Sequence, residues 1–244
     1  NRIANYIGLS GIITFFAAIN EKNKLKKFLY FFVSLLSLFT LFLPMSRSAV
    51  FMVGVTITFV LYKFGKLKQS FFILLTIVFI IIKLVPDIVF TRFLGTFTMI
   101  QEAEFLSTAD DSRIRMLEAY IYHFWEAFPF GVGEGNYWND WGLQSFFSTW
   151  RGVFGTHNLF IQLYYHWGLV AVIIWIYAML KIYKSVNNFS NGEDQNGTIK
   201  MALFIYCFIL CFFTHNMYLK IFSISFGYII SFTMIDQYNS TIRR

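Results

Sequence analysis

Charged side chains are scarce in this sequence. Asp, Glu, Lys and Arg make up 14% of the 244 residues, whereas soluble domains carry about 25%. Proline is almost absent, with three residues, so little interrupts long helices. Hydrophobic residues reach 57% and aromatic residues 21%. These proportions exclude an ordinary soluble domain and predict an integral membrane protein.

Cysteine is equally rare. Cys207 and Cys211 lie one helical turn apart in an apolar stretch, which indicates packing residues rather than a disulfide or a metal pair. The net charge of +7 does not indicate a nucleic-acid partner, because in a membrane protein the distribution of charge matters more than its sum. No charged segment or cleavage site precedes the first apolar run, so we expect missing upstream spans rather than a signal peptide.

Seven apolar runs are long enough to be considered as helices crossing ~30 Å of hydrocarbon. They lie near 3–19, 28–45, 48–62, 70–90, 157–180, 199–213 and 221–235. The last two form one apolar stretch that THNMYLK interrupts at 214–220. The predicted fold class is all-α, a polytopic membrane helix bundle with a large, partly helical loop on its outer face.

The distribution of lysine along the chain predicts how the helices are oriented in the membrane. Ten of the twelve Lys fall in three segments, 22–27, 63–68 and 181–200. If all seven spans exist, these segments share one side with the C-terminus, and the positive-inside rule makes that side cytoplasmic. The chain then divides into transmembrane helices in 1–90, a periplasmic or extracellular loop at 91–156, and transmembrane helices in 157–244.

The outer loop 91–156 contains four Arg and no Lys. A helix is predicted over 112–128, with Asp111 as its N-cap and Pro129 at its end. The spacing places Ile114, Leu117, Ile121 and Phe124 or Trp125 on one apolar face, and His123 on the polar, solvated side. The loop aromatics favour an interfacial belt over a sugar-stacking surface.

Arg47 stands in LFLPMSRSAVF (41–51), between two apolar runs. An Arg at mid-membrane costs ~2.5–3.5 kcal/mol, so its position needs a reason. Binding to a lipid phosphate would be such a reason, but Lys would bind a lipid headgroup equally well. Apart from Lys220, however, the basic residues of the predicted outer face are all Arg. Because guanidinium binds phosphate bidentately, Arg47 indicates a phosphate or pyrophosphate site of fixed geometry.

His157 opens the fifth predicted span, in THNLFIQLYYHWG (156–168). A neutral imidazole at that position takes a proton from a hydroxyl at neutral pH. The alternative is a His that bonds to backbone at a helix end. His166, deeper in the span, suits packing or hydrogen bonding.

The glycines of GVGEG (131–135) follow no strand and precede no GKS or GKT. This excludes a P-loop and a Rossmann fingerprint. The glycines predict a tight turn whose N–H groups approach a ligand or a neighbouring helix.

Three segments together resemble the superfamily of O-antigen polymerases and O-antigen ligases: SRSA (46–49), SRIRMLEAYIYHFWEAFPFGVGEGNY (112–137) and THNLFIQLYYHWG (156–168). The family pattern is S-R-small-A at a helix tip, R-x-x-x-W followed by proline and alternating glycines, and H-N opening a helix that ends in E-x-G. Leu117 stands where the family has Trp, and His166 where it has Glu.

The resemblance implies an inverting, metal-independent glycosyltransferase that needs no cofactor. It implies a polyprenyl-pyrophosphate-linked oligosaccharide as donor, a glycan or lipid acceptor, the lipid bilayer as surroundings, and the periplasmic face of the inner membrane as location. A flippase and a chain-length regulator are candidate partners. The resemblance assigns catalysis to Arg47, Arg113 and His157. It assigns substrate binding to Ser46, Arg115, Gly131, Gly133 and Asn158.

Three activities stay open at this point. The motifs do not separate a polymerase, which moves the chain onto another lipid-linked repeat unit, from a ligase, which moves it to lipid A core or another acceptor. The many Phe, Ile, Asn and Lys are typical of an AT-rich genome and favour the polymerase. A transporter or flippase would need polar residues along the spans, where little beyond Lys83 and Asp87 stands out.

The substitution Arg47→Lys tests the assignment of that cation. Lysine keeps the charge and loses the planar fork, so we expect most of the glycosyl-transfer activity to disappear, by about 10²–10³-fold, while the protein stays folded. Activity of purified protein is measured beside its elution profile in detergent. Full activity of the variant would remove Arg47 from the site.

Overall fold

The computed structural model describes residues 2–41, 47–66, 68, 120–133, 158–189, 195–213, 225–231 and 234–235. Within these ranges the chain is helical and contains no strand, which confirms the predicted all-α class. The main helices are α1 (Arg2–Asn20), α2 (Lys24–Thr40), α3 (Arg47–Lys63), α4 (Leu159–Phe189) and α5 (Gln195–Phe213). A short 3-10 helix covers Phe124–Ala127, and residues 225–231 are helical as well.

Three of the described helices are long and apolar enough to cross a membrane, at Ile3–Asn20, Leu159–Asn188 and Asn196–Phe213. They match the predicted spans 3–19, 157–180 and 199–213. The apolar helix Ser48–Lys63 is shorter and matches the predicted span at 48–62. The predicted span 70–90 lies outside the described residues, and 221–235 is described only in part.

The helix α2 begins earlier than its apolar run predicts. Asn23 caps it, since its side-chain oxygen accepts hydrogen bonds from the N–H groups of Leu25 at 3.0 Å and Lys26 at 3.2 Å. Such a cap satisfies N–H groups that have no partner inside the helix. The lysines of the first turn therefore belong to α2, although a hydropathy pattern excludes them.

The chain separates into two compact units. The first comprises Asn1–Thr98, Ile182–Ile209 and Leu219–Arg244, and the second comprises Met99–Lys181 and Leu210–Tyr218. The predicted division at residues 90 and 156 concerned the two sides of the membrane and remains a prediction.

Small residues let the helices of the first unit pack closely. The helix α1 packs against α2 and α3. Gly8 faces Val53 and the hydroxyl of Tyr206, and Gly11 faces Leu38. The same hydroxyl donates to the carbonyl of Asn5 at 3.0 Å. Small residues at helix contacts, with buried hydroxyls bonded to backbone, are how helices associate in a membrane.

Lysine side chains tie helix ends together at the predicted cytoplasmic end of the first unit. Lys66 donates from Nζ to Oδ1 of Asn20 at 2.6 Å, and Asn20 donates from Nδ2 to the hydroxyl of Thr198 at 2.6 Å. Lys63 donates to Oδ1 of Asn187 and lies over the ring of Tyr183. These contacts join α1 and α5, and α3 and α4, through neutral acceptors.

Gly8→Ala tests the close packing of the first unit. A Cβ at Gly8 would lie 2.9 Å from Cγ2 of Val53 and 3.1 Å from the hydroxyl of Tyr206. We expect a loss of about 1–3 kcal/mol in the free energy of unfolding, because overpacking moves these neighbours. Thermal unfolding in detergent measures the effect.

Gly54→Ala is the matched control. A Cβ at Gly54, also in the interior of a helix, meets no described atom within 4 Å. Because alanine favours the helix by about 0.5–1 kcal/mol over glycine, this variant is expected to unfold at or above the temperature of the wild type. Equal shifts in the two variants would contradict the packing argument.

Candidate functional site

The helix α4 is broken at Gly168. Its φ of 77° and ψ of −172° lie outside the helical region, although helix continues on both sides. A φ in this range strains any residue with a Cβ. The break falls in the second unit, opposite the turn that follows Pro129.

Backbone groups freed by the break bond to that turn. In an unbroken helix the N–H of residue 169 would donate to the carbonyl of residue 165. Here the carbonyl of Tyr165 accepts from the N–H of Val132 at 2.7 Å, and that of His166 accepts from Gly133 at 3.1 Å. The N–H of Leu169 donates to the carbonyl of Pro129 at 2.8 Å. Three hydrogen bonds therefore attach the turn to α4.

Two glycines make this approach possible. A Cβ at Gly131 would lie 2.6 Å from the backbone nitrogen of Gly168, and a Cβ at Gly168 would lie 2.5 Å from Cα of Phe130. Both distances are to backbone atoms, which cannot rotate away as a side chain can. Gly131 also has a positive φ of 79°. We call this contact, formed by residues 129–133 and 165–169, the turn–helix joint.

An aromatic cluster packs beside the turn–helix joint. Tyr120, Ala127, Tyr164 and Tyr165 form its buried centre. The hydroxyl of Tyr164 donates to the carbonyl of Phe124 at 2.8 Å, and the two rings stack with centroids 4.6 Å apart. The hydroxyl of Tyr165 donates to the carbonyl of Tyr120. Buried tyrosines bonded in this way fix the described part of the loop to the first two turns of α4.

In the described part of the loop, the buried and exposed side chains are not those that the helical spacing predicts. His123 is only 7% exposed, so the expectation of a solvated side chain is wrong. Its Nδ1 lies 2.8 Å from Oε1 of Glu126. The apolar Ile121 and Trp125 are exposed instead. The physical reason is that the helix changes to 3-10 geometry at Phe124, and Tyr120, His123 and Ala127 turn inward.

Asn158 begins α4 as its N-cap. Its side-chain oxygen accepts from the N–H groups of Phe160 at 2.9 Å and Ile161 at 3.1 Å. Asn158 lies seven residues before Tyr165, or about two helical turns. It immediately follows His157, the candidate base, in sequence.

The eight predicted site residues divide into three groups. Gly131, Gly133 and Asn158 lie in the second unit and contact α4. The N–H of Gly133 donates to the carbonyl of His166 in α4, and the N–H of Gly131 donates to the carbonyl of Ala127, just before the turn. Arg47 is the first residue of α3. Ser46, Arg113, Arg115 and His157 lie outside the described residues. All eight assignments remain predictions.

Gly168 is the residue whose role the motif spacing does not reveal. It ends HWG, the counterpart of E-x-G, while Gly131 and Gly133 belong to a separate motif. A signal was present in the sequence, because small residues such as glycine in a membrane helix let another backbone approach closely.

No group of three or more His, Cys, Asp or Glu that could hold a metal occurs among the described residues. Cys207 and Cys211 are both buried, as expected for packing residues.

Helices of this length and hydropathy, in an all-α chain, define an integral membrane protein. A family model described as O-antigen ligase matches residues 32–176, more than half of the chain. The chain belongs to this family. The matched range contains the beginning of α3, the whole turn–helix joint and Asn158. No curated protein and no solved structure matches the chain.

Membership in this family indicates a glycosyl-transferring enzyme of O-antigen assembly. It implies lipid-linked glycan and acceptor substrates at a bilayer.

Gly168→Ala tests the turn–helix joint. The added Cβ would meet backbone atoms of Pro129 and Phe130 and would also be strained by the positive φ. We expect the second unit to lose the joint, with a fall in unfolding temperature and faster proteolysis of the loop. Both are measured on purified protein in detergent.

Gly133→Ala is the control that separates strain from close approach. Gly133 also has a positive φ, of 84°, but a Cβ there meets no described atom within 4 Å. Its cost should be only the left-handed strain of ~1–2 kcal/mol. If both variants lose the same stability, the close approach contributes nothing.

Proposed function

We propose that this protein is an inverting, metal-independent glycosyltransferase that polymerises O-antigen or capsular polysaccharide repeat units. Its donor is a polyprenyl-pyrophosphate-linked glycan, and it acts at the outer face of the inner membrane. The observation that carries this proposal is membership in the O-antigen ligase family over residues 32–176. That range also includes the proposed arginines and His157.

In the proposed reaction an acceptor hydroxyl attacks the anomeric carbon of the donor sugar from the face opposite the pyrophosphate. The bond from the anomeric carbon to the phosphate oxygen breaks, and the configuration inverts. The proton of the hydroxyl passes to His157 as general base. The polyprenyl pyrophosphate leaves with its electron pair, and Arg47 and Arg113, supported by Arg115, stabilise the growing charge. No nucleotide is needed, because departure of the pyrophosphate drives the transfer.

The positions of the α4 cap and of the turn–helix joint support this proposal. Asn158, which follows His157 in sequence, caps the first turn of α4 through the N–H groups of Phe160 and Ile161. The turn–helix joint ties the loop that carries Arg113 and Arg115 to the same helix, about two turns away. A reacting group needs a rigid support, because a displacement of 1 Å can cost about 10²-fold in rate.

A ligase is the second candidate. The description of the matching family, O-antigen ligase, favours it. Ligase and polymerase share the donor and the leaving group and differ in the acceptor, so the same residues serve both. A flippase for the same glycan is a distant third, because it would transfer no sugar.

The test is an assay of the purified full-length protein in detergent. It receives a polyprenyl-pyrophosphate oligosaccharide from its own host, with EDTA and without nucleotide. We expect wild-type protein to form a ladder of longer lipid-linked glycans, and His157→Ala and Arg113→Ala to lose it. Loss of a general base costs about 10²–10⁴-fold.

Arg151→Ala is the matched control, since Arg151 belongs to the same outer loop without an assigned role. It should keep the ladder. Transfer only after lipid A core is added would make the protein a ligase. Absence of transfer with every acceptor, or full activity of His157→Ala, would contradict the proposal.

A further inference from the structure

The described loop presents a large apolar surface that protein does not cover. Phe130 is 78% exposed, Tyr122 76% and Trp125 74%. Ile121 and Phe128 are exposed as well. We call these five side chains the aromatic face. Exposed apolar surface concentrated in one short segment is typical of a site that contacts a membrane or another protein.

The position of the turn–helix joint along α4 gives its depth in the bilayer. Lys181 and Lys184 mark one membrane boundary, since lysines inside a span reach for the headgroups. Gly168 lies 13 residues before Lys181, or about 20 Å along uninterrupted helix. Hydrocarbon is ~30 Å thick, which leaves the joint about 10 Å inside the opposite boundary. Helix tilt would increase this depth.

The exposed side of α4 supports the same depth. Between the joint and Lys181 the exposed large side chains are apolar or aromatic, among them Leu169, Ile173, Ile174 and Tyr177. This is the composition of a surface that faces lipid. The exposed surface continues to Trp167, within the joint. Nearer the N-terminus, Leu163, Tyr164 and Tyr165 are buried, and the two tyrosines pack against the loop. The exposed apolar side of α4 therefore ends at the level of the joint.

The backbone of the turn packs directly against that of α4, with Gly131 against Gly168. Non-helical backbone is tolerated at membrane depth where it is buried against protein, because its polar groups then find partners there. The N–H groups of Gly131, Val132 and Gly133 all donate to carbonyls. Among residues 120–133 Glu126 is the only acidic residue, and its side chain, 56% exposed, contacts Nδ1 of His123. Phe124, two residues before Glu126, contacts Tyr164, about one helical turn before Gly168.

We infer that residues 121–133 form a re-entrant element of the membrane domain rather than an extramembrane loop. The turn enters the hydrocarbon beside α4, and the aromatic face lies against the acyl chains of the outer leaflet. This inference does not depend on the proposed reaction. It concerns where the loop is, not what it catalyses.

Spin labels on single cysteines test this placement. In a background of Cys207→Ala and Cys211→Ala, the full-length protein in lipid bilayers is labelled at Phe130→Cys. Collision rates with oxygen, which concentrates in lipid, and with a water-soluble nickel chelate are then measured. We expect oxygen to dominate, as at Ile174→Cys on the exposed side of α4. Trp125→Cys provides a second position if Phe130→Cys does not fold.

Lys22→Cys, in the exposed link between α1 and α2, is the water control, and nickel should dominate there. The inference is overturned if the label at position 130 behaves like the one at 22, because the face would then lie in water. It is equally overturned if neither reagent reaches position 130, because protein would then cover the face. An oxygen-to-nickel ratio several-fold above that at 22 and close to that at 174 supports it.

Discussion

The described part of the second unit depends on one contact, the approach of two backbones at Gly131 and Gly168. The contact replaces hydrogen bonds that α4 loses at its break, and it is too close for a Cβ on either side. The tyrosine cluster packs beside it, with hydroxyls of Tyr164 and Tyr165 on loop carbonyls. Hydrogen bonds and packing here support each other, because a broken helix in lipid is stable only when another segment accepts and donates in its place.

The class of the protein and most described helices could be predicted from the sequence, because membrane insertion depends on composition over long runs. Helix starts were less predictable. The α2 helix begins at Lys24, four residues before its apolar run at 28, since Asn23 supplies a cap and lysine stems tolerate the membrane boundary. Caps depend on single polar residues, which an average over hydropathy hides.

The turn–helix joint could not be predicted from the sequence pattern, because Gly131 and Gly168 are 37 positions apart and nothing local pairs them. The burial of His123 was missed for another reason: an amphipathic pattern assumes one continuous α-helix, and the change to 3-10 geometry at Phe124 turns other side chains inward. His166 replaces the family's Glu without disturbing this contact. The joint uses its backbone carbonyl, which every residue type supplies.

The break at Gly168 also bears on how the protein is assembled. During synthesis residues 129–133 emerge before α4. The turn that bonds to α4 at Gly168 is therefore made before Gly168 itself reaches the bilayer. Until the two meet, the carbonyls of Tyr165 and His166 and the N–H of Leu169 lack the bonds described here, and each unsatisfied group in hydrocarbon costs several kcal/mol. Stable insertion of α4 is therefore coupled to docking of the turn at residues 129–133. Because this turn is synthesised before α4, it can bind α4 while the chain is still being made.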